Sequence, residues 1–215
     1  MKEIIQELKV LLKTKSIGTD SDRALLLDFQ AALETQPEKA IKLEKNALAQ
    51  IENITADNAR LVSNLHANLG GLYRMNGYPD LAREHMEKSI SLLDQFNLLH
   101  INDSIPQIAN YAMFLTEQQE PERGISELQK LSGIIKEYHS DECLDYAKVQ
   151  ENLATIYLMT ANLSQAKTHF KKAFKIYEKI WADEPEMIEA KYREIQELYP
   201  QIEFSIGKTL SGLLT

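Results

Sequence analysis

Three asparagines recur at a fixed spacing and are the residues in this sequence best suited to bind a ligand. Asn68, Asn110 and Asn152 lie 42 residues apart, each inside a similar apolar segment. An asparagine side chain offers one acceptor and two donors, so it can pair with both polar groups of a peptide bond. The alternative is that each amide bonds the neighbouring helix or its own backbone. Either role is hydrogen bonding, not bond cleavage.

The other reactive residues form no catalytic or metal-binding pattern. His139 and Cys143 lack a second ligand pair, so a polar loop between helices is the better interpretation. Gly207-Lys208-Thr209 resembles the end of a phosphate-binding loop, but Ile202 stands where the first glycine belongs. Ser, His and Asp residues are not ordered into a hydrolase triad. We therefore expect no enzyme activity, no cofactor and no metal.

The composition favours a soluble protein whose partner is another polypeptide. The net charge is −8, and binding to phosphate backbones requires clustered Lys and Arg, so nucleic acid is not an expected partner. The single cysteine fits a reducing compartment. Residues 1–13 do not read as a signal peptide, and no apolar run is long enough to cross a bilayer. The expected location is the cytoplasm, without membrane contact.

The asparagines belong to a unit of two helices that repeats every 42 residues. In the second copy, apolar residues recur at helical spacing on both sides of residues 76–79. Gly77 suits a left-handed helix end, and Pro79 suits the first turn of the next helix. Four copies cover residues 21–181, and they must stack because one unit cannot bury its apolar stripe alone. Small residues recur with the same period at Ala40, Ala82, Gly124 and Ala166.

These residues resemble the tetratricopeptide repeat, whose pattern is W-x2-L-G-x2-Y followed by A-x3-F. The first copy matches least, because Asp28 and Glu44 stand where a small residue and an aromatic are expected. The lengthened period is similar to that of kinesin light chains and of bacterial peptide-pheromone receptors. The resemblance implies an all-α, right-handed superhelix of helix pairs that binds extended peptides in its concave groove. The matching segments are Leu69-Gly70-x2-Tyr73 with Ala82-x3-Met86, and Leu153-Ala154-x2-Tyr157 with Ala166-x3-Phe170.

The resemblance also implies which residues face that groove, since the first helix of each tetratricopeptide pair lines it. The three asparagines would then form a ladder, one in each of the second, third and fourth repeats. At about 100° per residue, His66 falls on the apolar arc and is predicted to be a core histidine. The residues predicted to bind peptide are Asn64, Asn68, Gly71, Met75, Asn110, Met113, Asn152 and Met159.

Both ends of the chain are predicted to cover the repeats. Residues 1–20 are interpreted as a capping helix and loop, and residues 182–200 as a C-terminal capping helix. Residues 201–215 form a tail that is too apolar to stay in solvent. It is expected to pack on the final helix, to occupy the groove as an internal ligand, or to contact a second copy of the chain.

The leading hypothesis is a cytoplasmic scaffold that holds an extended segment of a partner protein in its groove. Two alternatives stay open. One is a structural repeat protein that self-assembles into a homo-oligomer through the tail. The other is a regulator whose peptide ligand changes its hold on another protein. An enzyme is the least expected class, although a fold by itself does not exclude catalysis.

Overall fold

The computed structural model describes residues 18–200, together with residues 7 and 10. The predicted N-terminal helix and the apolar tail at 201–215 therefore lie outside the described residues. Within residues 18–200 the secondary structure is entirely helical, as predicted. The helices are α1 (Asp20–Ala32), α2 (Pro37–Leu48), α3 (Ala59–Met75), α4 (Pro79–Gln95), α5 (Ser104–Glu117), α6 (Pro121–Tyr138), α7 (Leu144–Met159), α8 (Leu163–Ile180) and α9 (Pro185–Leu198).

The second helix of each pair begins at an equivalent position. Helices α2, α4, α6 and α8 start at residues 37, 79, 121 and 163, which keeps the 42-residue spacing. Pro37, Pro79 and Pro121 open three of them, where the missing N–H costs no helical hydrogen bond. Helix α8 instead begins after Asn162, whose side chain accepts a hydrogen bond of 3.2 Å from the backbone N–H of Gln165.

The turn inside the helix pairs also repeats. Gly77, Gln119 and Ala161 have positive φ angles of 76°, 64° and 58°. Only the first is a glycine, the residue that adopts this conformation without a steric penalty from Cβ. The left-handed helix end predicted at Gly77 is thus confirmed. Gln119 and Ala161 take the same conformation because the following helix must reverse direction at the same point.

Close contact between paired helices depends on the small residues of the pattern. A Cβ atom added to Gly70 in α3 would lie 2.6 Å from Cγ of Met86 in α4. Ala82, one turn earlier in α4, is fully buried. The glycine therefore allows the α3 backbone to approach α4 more closely than any larger residue would permit.

The chain divides into two compact units, residues 1–114 and residues 115–215. In the first unit, Ala24, Ala47 and Leu65 form one buried cluster. These residues come from α1, α2 and α3, so the first repeat packs on the first helix of the second. Burial of apolar surface between neighbouring repeats is what stabilises a solenoid.

The second unit is held by aromatic side chains and one partly buried ion pair. Phe174 of α8 stacks on Tyr192 of α9, with ring centroids 3.9 Å apart. Glu151 of α7 accepts a 2.7 Å hydrogen bond from the Tyr177 hydroxyl and lies 2.8 Å from Nζ of Lys191. Although burial acts to lower it, the pKa of Lys191 is raised by Glu151 and Glu194. Helix α9 is therefore joined to both helices of the fourth pair.

Candidate functional site

A cavity of about 480 Å³ in the first unit lies against the first helices of the pairs. Asp28 comes from α1, Asn64 and Asn68 come from α3, and Gln107 and Asn110 come from α5. Amide and carboxylate side chains thus dominate the polar part of its lining. The lining residues are Asp28, Asn64, Ala67, Asn68, Arg74, Met86, Ser89, Asn102, Asp103, Pro106, Gln107 and Asn110.

Asn110 is one of the two recurring asparagines that line this cavity. It is exposed and lines the cavity, and within residues 18–200 its side chain makes no hydrogen bond. The preceding residue, Ala109, is half-buried, and the following residue, Tyr111, is buried. Asn110 is therefore on the solvent-exposed side of α5. An amide in this setting can still accept hydrogen bonds from a ligand and donate hydrogen bonds to it.

Asn68 uses its amide differently. Its Nδ2 atom donates to Oδ1 of Asp28 at 2.9 Å and to Oε1 of Glu44 at 3.2 Å. These contacts join α3 to both helices of the preceding repeat, which is the stacking role that the sequence left open as the alternative. Asn68 also lines the cavity, as Asn64 does, and its side-chain oxygen is not used in these two bonds. The predicted ligand role of Asn68 therefore concerns its acceptor more than its donors.

Asn64 belongs to a polar network that connects α3, α4 and α5. Nε2 of Gln107 donates to Oδ1 of Asn64 at 2.6 Å. Oε1 of Gln107 accepts from the hydroxyls of Ser63 at 2.8 Å and Ser89 at 2.5 Å. Ser63 and Ser89 are buried, and buried hydroxyls require such partners. The network fixes the side of the cavity formed by α5.

Asp28 lines the opposite end of the cavity, and the carboxyl group of Glu44 lies buried beside it, bonded to the same Asn68 amide. Glu44 is only 2% exposed, and in its protonated form its carboxyl group hydrogen-bonds the side chain of Asp28. Burial, and next the negative charge of Asp28, raise the pKa of Glu44 to about 9. Glu44 is therefore uncharged at neutral pH. Neither residue was predicted from the sequence to have a function, although both depart from the repeat pattern.

The remaining predicted site residues do not belong to this cavity. Gly71, Met75 and Met113 are absent from its lining, which consists of described residues only. Met75 is 83% exposed at the end of α3, and Met113 is half-buried in α5. Asn152 and Met159 lie in α7 of the second unit, where Asn152 is half-buried and Met159 is 53% exposed. Their predicted role in binding a peptide stays a prediction.

The described residues offer no cluster for other chemistry. Within residues 18–200 no group of three or more His, Cys, Asp and Glu side chains is placed to hold a metal ion. Cys143 instead caps α7, where its Sγ accepts a 3.4 Å hydrogen bond from the backbone N–H of Tyr146. Of the described helices, none is long and apolar enough to span a membrane.

A family model supports the assignment of the repeat. The model of the tetratricopeptide repeat matches residues 104–179. The match begins at the start of α5 and ends within the last turn of α8, so it covers two complete helix pairs. Residues 104–179 carry tetratricopeptide repeats. The resemblance predicted from the motifs is thus confirmed, and repeats of this kind are typical of protein-interaction scaffolds.

Solved tetratricopeptide-type structures share the fold. A putative kinesin light chain from Podosopora anserina has a TM-score of 0.71 at 15% identity, over 84% of this chain and 88% of its own. BtubC (BKLC) from P. vanneervenii has a TM-score of 0.69 at 19% identity, over 83% of this chain and 71% of its own. PlcR from Bacillus thuringiensis, solved with the peptide PapR7 and DNA, has a TM-score of 0.55 at 18% identity, over 86% of this chain and 67% of its own. The comparison with curated proteins found no match.

Two of the 42-residue repeats share a contact between polar side chains that was not predicted from the sequence. In the second repeat, Nδ1 of His66 lies 2.9 Å from Nδ1 of His85. In the fourth repeat, Nδ1 of His169 lies 2.9 Å from Oε1 of Gln150, at the equivalent positions 84 residues later. His66 is half-buried in this pair, in keeping with its predicted place on the apolar arc.

The histidines of these repeats are held in the neutral form. Burial, followed by His85 and Lys88, lowers the pKa of His66 to about 4. Burial, followed by Lys172, lowers the pKa of His169 to about 4. Two imidazoles in contact through Nδ1 need one donor and one acceptor, so protonation of both rings would break the contact. The pair therefore serves the packing of the repeat and is unsuited to act as a general base at neutral pH.

Proposed function

We propose that this chain is a scaffold that holds an extended segment of a partner protein along α1, α3 and α5. The accessible amide of Asn110 on the cavity carries the proposal. An extended peptide has an unpaired N–H and C=O at each residue, and an asparagine side chain can satisfy both. Because these contacts are made to the peptide backbone, they tolerate many partner sequences.

Three further observations support a peptide as the ligand. The cavity is lined by residues of four helices, α1, α3, α4 and α5, so a chain segment could contact several of them at once. Its polar lining consists mainly of neutral amides, which pair with peptide groups without a charge requirement. PlcR, which has a similar fold, is described in complex with a peptide.

The test is a binding screen with a library of fluorescently labelled extended peptides, followed by variants of Asn110. We expect Asn110→Ala to weaken binding by roughly 0.5–1.5 kcal/mol, which is the contribution of one lost hydrogen bond. The stability of the variant should be unchanged or slightly improved, because alanine is the better helix former and the amide has no partner to lose. Fluorescence anisotropy measures the affinity, and chemical denaturation measures the stability.

Asn46→Ala is the matched control, since Asn46 is an exposed asparagine of α2 and does not line the cavity. Its affinity for any library peptide should equal that of the unaltered protein. A loss of stability of about 1–3 kcal/mol in Asn110→Ala would show that the amide is a structural group whose removal leaves a buried partner unpaired. If the Asn110 variant binds every such peptide with the same affinity as the unaltered protein, Asn110 does not contribute to the binding site.

A further inference from the structure

The solvent side of α8 carries charge of a single sign. The helix has one acid, Glu178, which is half-buried and accepts a hydrogen bond of 3.4 Å from the hydroxyl of Tyr192. Its five lysines are all exposed, and at about 100° per residue they fall within an arc of about 140°. This lysine face consists of Lys167, Lys171, Lys172, Lys175 and Lys179.

The other second helices of the repeats do not share this charge pattern. Helices α2, α4 and α6 have the same place in the first three repeats, and each mixes acids with bases. In α4, Nη1 of Arg83 lies 3.8 Å from Oε1 of Glu87, four residues later. In α8 the same spacing joins lysine to lysine three times in succession, from residue 167 to residue 179. Like charges at this spacing destabilise a helix, so the folding of the repeat does not explain the lysine face.

Most of the lysine face has no counter-charge on the protein. Among the described residues, four of its five lysines form no ion pair, and the exception is Lys179, which pairs with Glu142. A groove of about 250 Å³ lies against this face and is lined by three of its lysines, Glu142 and Asp141. Asp141 lies 3.8 Å from Nζ of Lys136 in α6. Both acids of the groove are thus paired already, and the remaining lysines are available to an external anion.

The spacing of these lysines fits an extended acidic peptide. Residues four apart in a helix are separated by about 6 Å along its axis. Alternate side chains of an extended chain point to the same side, about 6.6 Å apart. Acids at alternate positions of an extended segment would therefore meet successive lysines of α8. Duplex DNA carries one charge per about 1.7 Å of its axis, a much denser charge, and the net charge of −8 on this chain opposes its approach.

We propose that the lysine face of α8 binds an extended segment of a partner protein that carries Asp or Glu at alternate positions. Each carboxylate accepts a charge-assisted hydrogen bond from an ammonium group and offsets the repulsion between neighbouring lysines. The lysine face belongs to the second unit, whereas Asn110 and its cavity belong to the first. This surface therefore goes beyond the proposed function and does not depend on it.

The test compares three fluorescently labelled probes of eight residues. One alternates Glu with Ser, the second alternates Gln with Ser, and the third has its four Glu residues in succession, followed by the four Ser residues. We expect fluorescence anisotropy to show the highest affinity for the alternating acidic probe and no binding of the glutamine probe. Binding should be lost as salt is raised from 0.1 M to 1 M, because the screening length falls from about 10 Å to about 3 Å.

A double variant, Lys171→Gln with Lys175→Gln, removes two charges from the middle of the lysine face. We expect it to bind the alternating acidic probe about fourfold more weakly, since one exposed ion pair contributes a factor of about two. Glutamine is nearly as good a helix former as lysine, so the fold should be unchanged by circular dichroism. Lys171→Arg with Lys175→Arg keeps both charges and should keep the affinity. The matched control is Lys39→Gln with Lys42→Gln, which removes two exposed lysines from α2.

Two results would show that opposite charges attract without a defined docking surface, and either would overturn the proposal. One is equal affinity for the alternating and contiguous acidic probes, and the other is an equal loss of affinity in the α2 control. Affinity that is unchanged in the α8 glutamine variant would overturn it as well. Tighter binding of a single-stranded oligonucleotide of the same charge would identify nucleic acid as the ligand instead. Failure of the library screen on Asn110 would overturn the proposed function alone, because that residue lies in the other unit.

Discussion

Burial sets the protonation states of single side chains in both units, and this makes the stability of the protein depend on pH in two directions. The acid Glu44 holds a proton that it would lose in the unfolded chain. The bases His66 and His169 lack a proton that they would gain on unfolding in acid. Glu44 therefore lowers the free energy of unfolding as the pH rises, and the two histidines lower it as the pH falls.

Glu44→Gln should make the protein less sensitive to alkaline pH. Between pH 4.5 and about 9 the folded protein binds a proton at Glu44 that the unfolded chain has released, so stability falls as the pH rises. The slope from this residue is at most about 1.4 kcal/mol per pH unit. Urea denaturation at several pH values should show that the free energy of unfolding of the variant rises relative to that of the unaltered protein as the pH increases. Glu38→Gln should keep the original slope, and an unchanged slope in Glu44→Gln would mean that Glu44 is ionised in the folded state.

His66→Gln should make the protein less sensitive to acid. As the pH falls from 6.5 to about 4, the unfolded chain takes up a proton at His66 and the folded protein does not, so stability is lost in this window. Glutamine removes that loss and can accept from His85 as Gln150 accepts from His169. At neutral pH the change in stability should stay below about 1 kcal/mol.

Acid denaturation followed by circular dichroism would measure the effect of the His66 substitution. The control is His139→Gln at the exposed end of α6, which removes an imidazole that makes no such contact with His85. A His66 variant as acid-sensitive as the unaltered protein would show that the His66–His85 contact does not exclude the proton.

At the scale of the element, two neighbouring glycines in α3 differ in how closely other atoms approach them. Gly70 faces α4, where an added Cβ would meet the Cγ of Met86 at 2.6 Å and its backbone nitrogen at 3.3 Å. Gly71 faces open space, with no heavy atom within 4 Å of an added Cβ. Because the two glycines are adjacent in one helix, substitutions at these positions distinguish the effect of packing between α3 and α4 from the effect of helix propensity.

Gly70→Ala should therefore destabilise the protein, and Gly71→Ala should stabilise it. Overpacking against Met86 is expected to cost about 1–3 kcal/mol. The alanine at position 71 should contribute about 0.5–1 kcal/mol, since glycine loses more conformational freedom in a helix. Thermal and urea denaturation of both variants measures the difference. Equal effects of the two changes would show that α3 and α4 can separate at Gly70 without cost.

At the scale of the whole molecule, the apolar tail at residues 201–215 is the sequence feature with no described structure to compare. The described part of the chain nearest to it leaves apolar side chains accessible, with Met187 43% exposed and Leu198 63% exposed in α9. Apolar surface on both the tail and the last helix favours contact between them, within one chain or between two copies.

A chain that ends at Pro200 should therefore lose thermal stability or, if the tail joins two copies, lose half of its mass in solution. Differential scanning calorimetry and light scattering would distinguish these results. As a second variant, the tail can be kept and its leucines replaced by serines (Leu210, Leu213 and Leu214), which retains its length and removes much of its apolar surface. Unchanged melting temperature and mass in both variants would show that the tail covers nothing on the protein.

The repeat itself could be predicted from the sequence, because it follows from local rules. Helical periodicity, a proline in the first turn and a small residue at each close contact act within a few residues of the chain, and they recur every 42 residues. Such rules located the four second helices and the turn at Gly77, and they excluded a sheet from the described region.

The partners of the polar side chains were decided only by the tertiary structure. Asn68 and Asn110 occupy the same position in their repeats, yet one is bonded to Asp28 and Glu44 while the other is accessible. The difference arises from the preceding repeat, whose facing residues differ in each copy. A hydrogen bond depends on the distance and angle between helices 24 to 40 residues apart in sequence, which a single helix pattern does not contain. The sequence determined where the amides lie, and the packing of the helices determined which of them remain available to a ligand.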